Sequence, residues 1–468
     1  MWFFINFVFL FTLVLFISYF GLGYFSVKKL RNYLRRNSYV DYNMVATSPL
    51  SPSVSIIAPA YNESANVIDS VKTLLKLHYR NFEVIIVNDG STDDTFQLLK
   101  ETFKLSKSKY FFEYRIPCEK IKGIYKSRNK EFSRLTVVDK VNGGCKADAS
   151  NAGINICKND LVLIMDADCV IEPDSITKLV KPFLEEKDKR VIGTGGVIRI
   201  MNSCEVENGI IKKINLPQNF LPRWQALEYT RAFLLGRMAW SQLDGLLLIS
   251  GAMGLFDREV LINSGGYDKK AIGEDMEMVI RMRRYMAEKG EDYEVTYVPD
   301  PLCWTEVPSD YKSLESQRTR WARGLVYALR KHKVMFMNRK YGKLGLLGYP
   351  FWLIFEWLAP LLAFVGFGFT IYLAAAGLIN WGFFGLLYLF IYAFAVFMSS
   401  WSVLFEELTF HKYARKRDVV KLLLVAFVEP LIYPMIAWFS VKGNWQYIRG
   451  VEGWGDIKKT GAGGSKKK

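Results

Sequence analysis

LVLIMDADCV, from Leu161 to Val170, is the stretch that decides how this chain folds. The apolar run Leu161 to Met165 reads as a buried strand. It stops at Asp166 and Asp168, two carboxylates on one edge. Such a pair suits a hard divalent cation, Mg²⁺ or Mn²⁺, because these ions take oxygen ligands and diphosphate oxygens can complete the shell. Asp-x-Asp is also common where no metal binds, so its neighbours have to decide. Working outward, VSIIAP (from Val54) precedes a helix from about Ala65, FEVIIVND (from Phe82) precedes one from about Asp94, and the Asp-x-Asp strand precedes one from about Pro173. This rhythm predicts an α/β, Rossmann-like domain with a mostly parallel sheet. Ligands of such sheets bind beyond the carboxyl ends of the strands, where Tyr61, Asn62, Glu63, Asp89, Asp166 and Asp168 fall. The basic stretch from Lys104 to Arg134 is less periodic and reads as a long hairpin or a mobile loop.

The ends of the chain differ from its centre. Of 468 residues, 50% are hydrophobic and 15% aromatic, and the excess is terminal. Residues 1–25 are long and apolar enough to span a bilayer, with no A-x-A cleavage site behind them. Lys28, Lys29, Arg31, Arg35 and Arg36 follow in a basic linker over 26–52, which places the amino terminus outside and the next segment in the cytosol. A soluble domain is expected over 53–335, including a cationic helix around 310–335. Membrane and interfacial helices are expected over 343–445, with spans at about 350–376, 383–405 and 419–441, then a basic tail over 446–468. Three full spans would leave that tail outside, whereas its lysines at 458–459 and 466–468 argue for inside. Glu429, Pro430 and Pro434 would reconcile the two if the last segment were re-entrant. A net charge of +16 fits anionic lipid and a positive-inside bias, and no motif points to nucleic acid. The six cysteines have no metal-ligand spacing and read as reduced thiols.

Each remaining motif has a structural reading beside a chemical one. Asp89-Gly-Ser-Thr is a turn, or a carboxylate for a base or ribose. Asn142-Gly-Gly-Cys-Lys146 is a surface turn, or a helix entry whose lysine meets phosphate. Asp275, after Glu274, is helix-terminal charge, or a general base. SLESQRTRWARGL, with Gln317, Arg320 and Trp321, is a basic helix on lipid, or a phosphate fork beside a stacking ring. Trp304 is a core residue or lies near an acceptor. Glu356, Glu406, Glu407 and Glu429 sit in or near spans, and intramembrane carboxylates are functional candidates.

In order, PAYNE (Pro59 to Glu63), NDGS (Asn88 to Ser91), KADA (Lys146 to Ala149), DAD (Asp166 to Asp168), SGA (Ser250 to Ala252), GED (Gly273 to Asp275) and QRTRW (Gln317 to Trp321) resemble the membrane-embedded, processive family 2 glycosyltransferases. These include cellulose, mixed-linkage glucan, curdlan, chitin, hyaluronan and poly-N-acetylglucosamine synthases. The resemblance implies a GT-A-like cytosolic domain beside an α-helical transmembrane bundle with interfacial helices, in the plasma or inner membrane. It implies that Tyr61, Glu63, Asp89, Lys146, Asp148, Asp166 and Arg320 bind a UDP-sugar, with Asp166 and Asp168 on Mg²⁺ or Mn²⁺. Asp275, with Glu274 beside it, would be the catalytic base. Ser250, Gly251, Trp304, Gln317 and Trp321 would meet the growing β-glycan acceptor. The product would pass through the bundle, with accessory export proteins as further partners. Cys145 before Lys146, Ser150 for leucine and Gly273 for threonine depart mildly from the pattern. The 104–134 insertion and the single amino-terminal span are less like poly-N-acetylglucosamine synthases, so UDP-glucose and a β-glucan are expected. The alternative is UDP-N-acetylglucosamine with a poly-N-acetylglucosamine or chitin-like product. Non-processive transfer to a lipid carrier, or an export subunit with an inactive domain, ranks lower.

Overall fold

The structure, a computed structural model, describes residues 2–451 except 187, 208 and 414. The tail lysines at 458–459 and 466–468 therefore lie outside the described residues. The chain divides into two compact units. One comprises Arg36–Asn215 and Leu246–Val307, and the other holds the described residues before Arg36, Leu216–Gly245 and residues 308–451.

The first unit is built on a ten-stranded sheet. Its order is Leu105–Lys107, Ile121–Ser127, Leu135–Lys140, Phe82–Asn88, Val54–Ala60, Leu161–Met165, Met253–Asp257, Arg190–Ile200, Tyr293–Thr305, Val170–Ile171. The strands 135–140, 82–88, 54–60 and 161–165 run parallel, and antiparallel strands extend the sheet on both sides. Every residue of Leu161–Met165 is buried, as its unbroken apolar run requires. The helices Val67–Leu75, Thr95–Thr102, Lys146–Ile156 and Ser175–Leu184 alternate with these strands. The four parallel strands end together at Ala60, Asn88, Lys140 and Met165, so the loops that follow share one edge.

The 104–134 segment is a hairpin. Leu105–Lys107 pairs with Ile121–Ser127 at the sheet margin. The strap between them is tied down, because the backbone N–H groups of Arg115 and Ile116 both donate to Asn155 Oδ1, at 3.0 and 2.9 Å.

Among the described residues, the second unit contains four helices long and apolar enough to cross a membrane: Asn6–Asn37, Leu344–Ala375, Trp381–Thr409 and Lys416–Ile448. The first runs past residue 25 through the basic residues, whose straight side chains favour helix. The last passes Pro430 and Pro434 without a break. Between the first two lie Phe220–Thr230, Arg231–Arg237 and Met238–Gln242, one helical rod with a π-helical middle. Tyr311–Lys331 also belongs here, capped by Asp310, whose carboxylate accepts from Ser313 N–H at 2.9 Å.

Candidate active site

Two groups of carboxylates stand at the shared strand edge. The first surrounds Lys140, the last residue of its strand, whose side chain is fully buried. Its ammonium donates to Asp89, to Asp148 Oδ2 at 2.6 Å and to the Val141 carbonyl at 2.6 Å. Lys269 meets Asp148 Oδ1 at 2.6 Å, and the Glu119 N–H adds a bond at 3.0 Å. Burial opposes ionisation of Asp148, but hydrogen bonds from Lys140 and Lys269 outweigh it and lower its pKa. Gly143 must be glycine, since a Cβ there would lie 2.2 Å from Asp148 Oδ2. Asp148, expected to contact a nucleotide, is thus 0% exposed and enclosed by the protein's own donors. Asp89 is 5% exposed and also accepts from Gly143 N–H at 3.1 Å.

The second group is joined by a relay. Lys146 Nζ donates to Asp166 Oδ1 at 2.5 Å and to the Gly251 carbonyl at 2.7 Å. The Gly251 N–H donates to Asp275 Oδ2 at 3.0 Å, and Met276 N–H holds Oδ1 at 2.9 Å. Four motifs up to 129 residues apart, Lys146 to Asp275, therefore meet through three contacts. Burial opposes the charge on Lys146, but Asp166 and Glu274 outweigh it and raise its pKa. Asp166 and Asp168 remain partly accessible, and their oxygens lie within 4.8 Å of each other and of Cys169 Sγ. The hydrogen bond with Cys303, and then burial, push the Cys169 thiol far up. Two accessible carboxylates at the end of a buried strand fit a hard divalent cation.

The other expected residues are more dispersed. Tyr61 presents a ring 49% exposed at the first strand end, and Glu63 N–H is held by Thr95 Oγ1 at 2.9 Å. Ser250 Oγ accepts from Ala252 N–H at 3.4 Å, beside the relay. Glu274 is buried at the helix entry. Trp304 is 1% exposed, with its indole N–H given to Glu172 Oε1 at 2.7 Å, which makes it core. Gln317, Arg320 and Trp321 lie in the second unit on Tyr311–Lys331. There Gln317 is buried and Trp321 is 41% exposed. Arg318 grips Glu228 with both terminal nitrogens, at 2.8 and 2.5 Å, and lies 4.3 Å from the Trp321 ring centroid.

Sequence reading missed Lys140, Lys269 and Tyr267. Tyr267 is buried behind the relay, and burial with Glu274, Asp275 and Asp166 nearby pushes its hydroxyl pKa far up. Lys140 left one signal, a lysine closing the strand LTVVDK just before a glycine pair. Lys269 and Tyr267 sit in the loop Gly265 to Ala271, which carries no periodicity.

A mostly parallel sheet whose strand edge carries an Asp-x-Asp pair, with Asp275 held by two backbone donors beside it, has the architecture of a GT-A glycosyltransferase domain. The chain belongs to the glycosyltransferase-like family 2, whose model matches residues 52–324. It is 30% identical over 271 residues to a poly-β-1,6-N-acetyl-D-glucosamine synthase of Staphylococcus epidermidis, covering 58% of this chain and 54% of that one. It is 26% identical over 293 residues to the probable glycosyltransferase YdaM of Bacillus subtilis, covering 62% and 59%. The chain thus spans little more than half the length of the curated relatives it matches. In fold it is similar to a mannosyltransferase of Pyrobaculum calidifontis solved with GDP-mannose and Mn²⁺, at TM-score 0.52 and 17% identity over 94% of this chain and 99% of that one.

Proposed function

We propose that this protein is a membrane polysaccharide synthase that transfers N-acetylglucosamine from its UDP-sugar to a growing β-linked chain on the cytosolic side. The observation that carries this reading is the Asp166–Lys146–Gly251–Asp275 relay, which ties the donor end of the site to the base. Asp275 is held by two backbone donors, which fixes its carboxylate to receive the acceptor hydroxyl proton. The acceptor oxygen bonds to the anomeric carbon as the bond to diphosphate breaks, and the configuration inverts. Lys146 orients Asp166 and offers positive charge to the departing diphosphate. Asp166 and Asp168 would hold Mg²⁺ or Mn²⁺, whose chemistry is to neutralise that diphosphate. Tyr61 and Glu63 remain with the nucleoside, whereas Asp89 and Asp148 act by holding Lys140.

The expected donor, UDP-glucose, has no specific support. The relatives near 30% identity carry the name poly-β-1,6-N-acetyl-D-glucosamine synthase, so the N-acetylglucosamine alternative is preferred. Purified protein with Mg²⁺ or Mn²⁺, offered each UDP-sugar separately, should release UDP and form polymer from UDP-N-acetylglucosamine. A β-1,6-N-acetylglucosaminidase should digest that polymer. Polymer made from UDP-glucose and cut by a β-glucanase would reverse the donor assignment.

A further inference from the structure

One buried group beside the relay has no role in the reaction as derived above: Tyr267, which is 5% exposed. Its backbone is fixed from several directions. Gly265 and Gly266 precede it with φ of +97° and +63°, a turn that other residues rarely adopt. A Cβ on Gly266 would lie 2.6 Å from Ile116 Cδ1 and 2.8 Å from Asn151 Oδ1, so the turn is pressed against both. Asn151 grips Tyr267 twice, accepting from its N–H at 2.8 Å and donating to its carbonyl at 2.9 Å. Asn151 lies on Lys146–Ile156, the helix that opens with the relay lysine. Two residues beyond Tyr267, Lys269 meets Asp148 of that same helix at 2.6 Å. The segment carrying Tyr267 is thus tied at two points to the helix of Lys146.

The hydroxyl end is different. Both hydrogen bonds that Tyr267 makes among the described residues come from its backbone, so the hydroxyl has none. A buried phenol ordinarily finds a partner. This one lies within electrostatic range of Glu274, Asp275 and Asp166, and burial, followed by those three charges, keeps it protonated and able to donate. A carboxylate within reach would accept that proton in a hydrogen bond. A hydroxyl in range of three carboxylates and bonded to none stands across a gap from them.

The two ends of the relay say what fills such a gap. Asp166 stands at the donor end and Asp275 is the base. In the reaction proposed above, the sugar in transfer lies between them, leaving the diphosphate on one side and meeting the acceptor oxygen on the other. Charge selects the same group. Three carboxylates around the hydroxyl repel a phosphate, whose positive partner here is Lys146. A sugar is neutral, and its hydroxyl and acetamido oxygens accept a hydrogen bond from a neutral phenol.

We infer that the Tyr267 hydroxyl binds the sugar being transferred, donating a hydrogen bond to one of its oxygens, and that the nucleotide alone does not use it. The inference rests on the transferase reading above. Calorimetric titration of the full-length protein in detergent with Mn²⁺ tests it. The ligands are UDP and the UDP-N-acetylglucosamine and UDP-glucose phosphonates, in which a methylene replaces the anomeric oxygen and blocks transfer. Tyr267→Phe keeps the ring and deletes the hydroxyl. It should weaken the N-acetylglucosamine analogue about three- to tenfold, the effect of one neutral hydrogen bond, and leave the affinity for UDP unchanged. Equal weakening of UDP and the analogue, which a merely structural tyrosine would give, would overturn the inference, as would no weakening of the analogue. If the unsubstituted protein instead binds the glucose analogue the more tightly, the donor assignment fails, and Tyr267 stands or falls by the same comparison on that analogue. Binding of no UDP ligand by the unsubstituted protein would remove the transferase reading, and this inference with it.

Discussion

The two carboxylate groups at the strand edge use the same residue type for opposite purposes. Around Lys140, Asp89 and Asp148 are sealed, and the nearby donors point at them. Around Lys146, Asp166 and Asp275 also have partners, yet Asp166 keeps 38% side-chain exposure and Asp168 is partly exposed. A carboxylate whose lone pairs are consumed by the fold stabilises it. One with an accessible oxygen is placed to meet a ligand or proton. The assignment of structure to the first group and chemistry to the second can be broken by experiment.

The largest expected effect is on Asp275. Asp275→Asn removes the proton acceptor and should lower the rate of UDP release by about 10²- to 10⁴-fold, with little change in melting temperature. Retained activity would move the base elsewhere. Lys140→Met should do the reverse. It leaves two buried carboxylates without their shared cation, which costs about 3–5 kcal/mol, read as a large drop in thermal midpoint. A thousandfold loss of rate at unchanged midpoint would erase the distinction between the groups. Gly143→Ala comes next. Its methyl group cannot coexist with Asp148 at 2.2 Å, so the turn must shift, at a cost of about 1–3 kcal/mol.

The sequence made the second group legible and hid the first, for a physical reason. Asp166 and Asp275 lie in short local patterns, an apolar strand ending in Asp-x-Asp and an acidic helix entry, where neighbours along the chain report the role. The partners of Asp148 come from Glu119, Lys140 and Lys269, on three separate segments, so no local pattern names them. Trp304 shows the same limit. Its strand pairs at Trp304 with Val170 just past the Asp-x-Asp motif, and that pairing, invisible in sequence, buries the ring and gives its N–H to Glu172. In the helical unit, hydropathy pointed to the four long apolar helices, although the first runs on to Asn37, twelve residues past the expected end of the span at 25. It did not foresee that Ser399 and Glu429, on two of them, converge on Arg231, because that depends on how the helices pack.

The smallest effect at neutral pH separates the two groups most sharply in acid. The folded pKa of Asp148 is depressed below its ordinary value of 3.8, so its ionised form stabilises the fold. That contribution is complete above 3.8 and is lost as pH falls through the lower folded value. Asp148→Asn should therefore lower the thermal midpoint at neutral pH, and the gap to the unsubstituted protein should shrink as the pH is taken below 3.8. Asp168 keeps a partly accessible carboxylate, so Asp168→Asn should shift the midpoint at neutral pH less than Asp148→Asn does. If instead Asp168→Asn lowered the midpoint more than Asp148→Asn, or the Asp148 gap failed to shrink in acid, the roles of the two carboxylate groups would have to be exchanged.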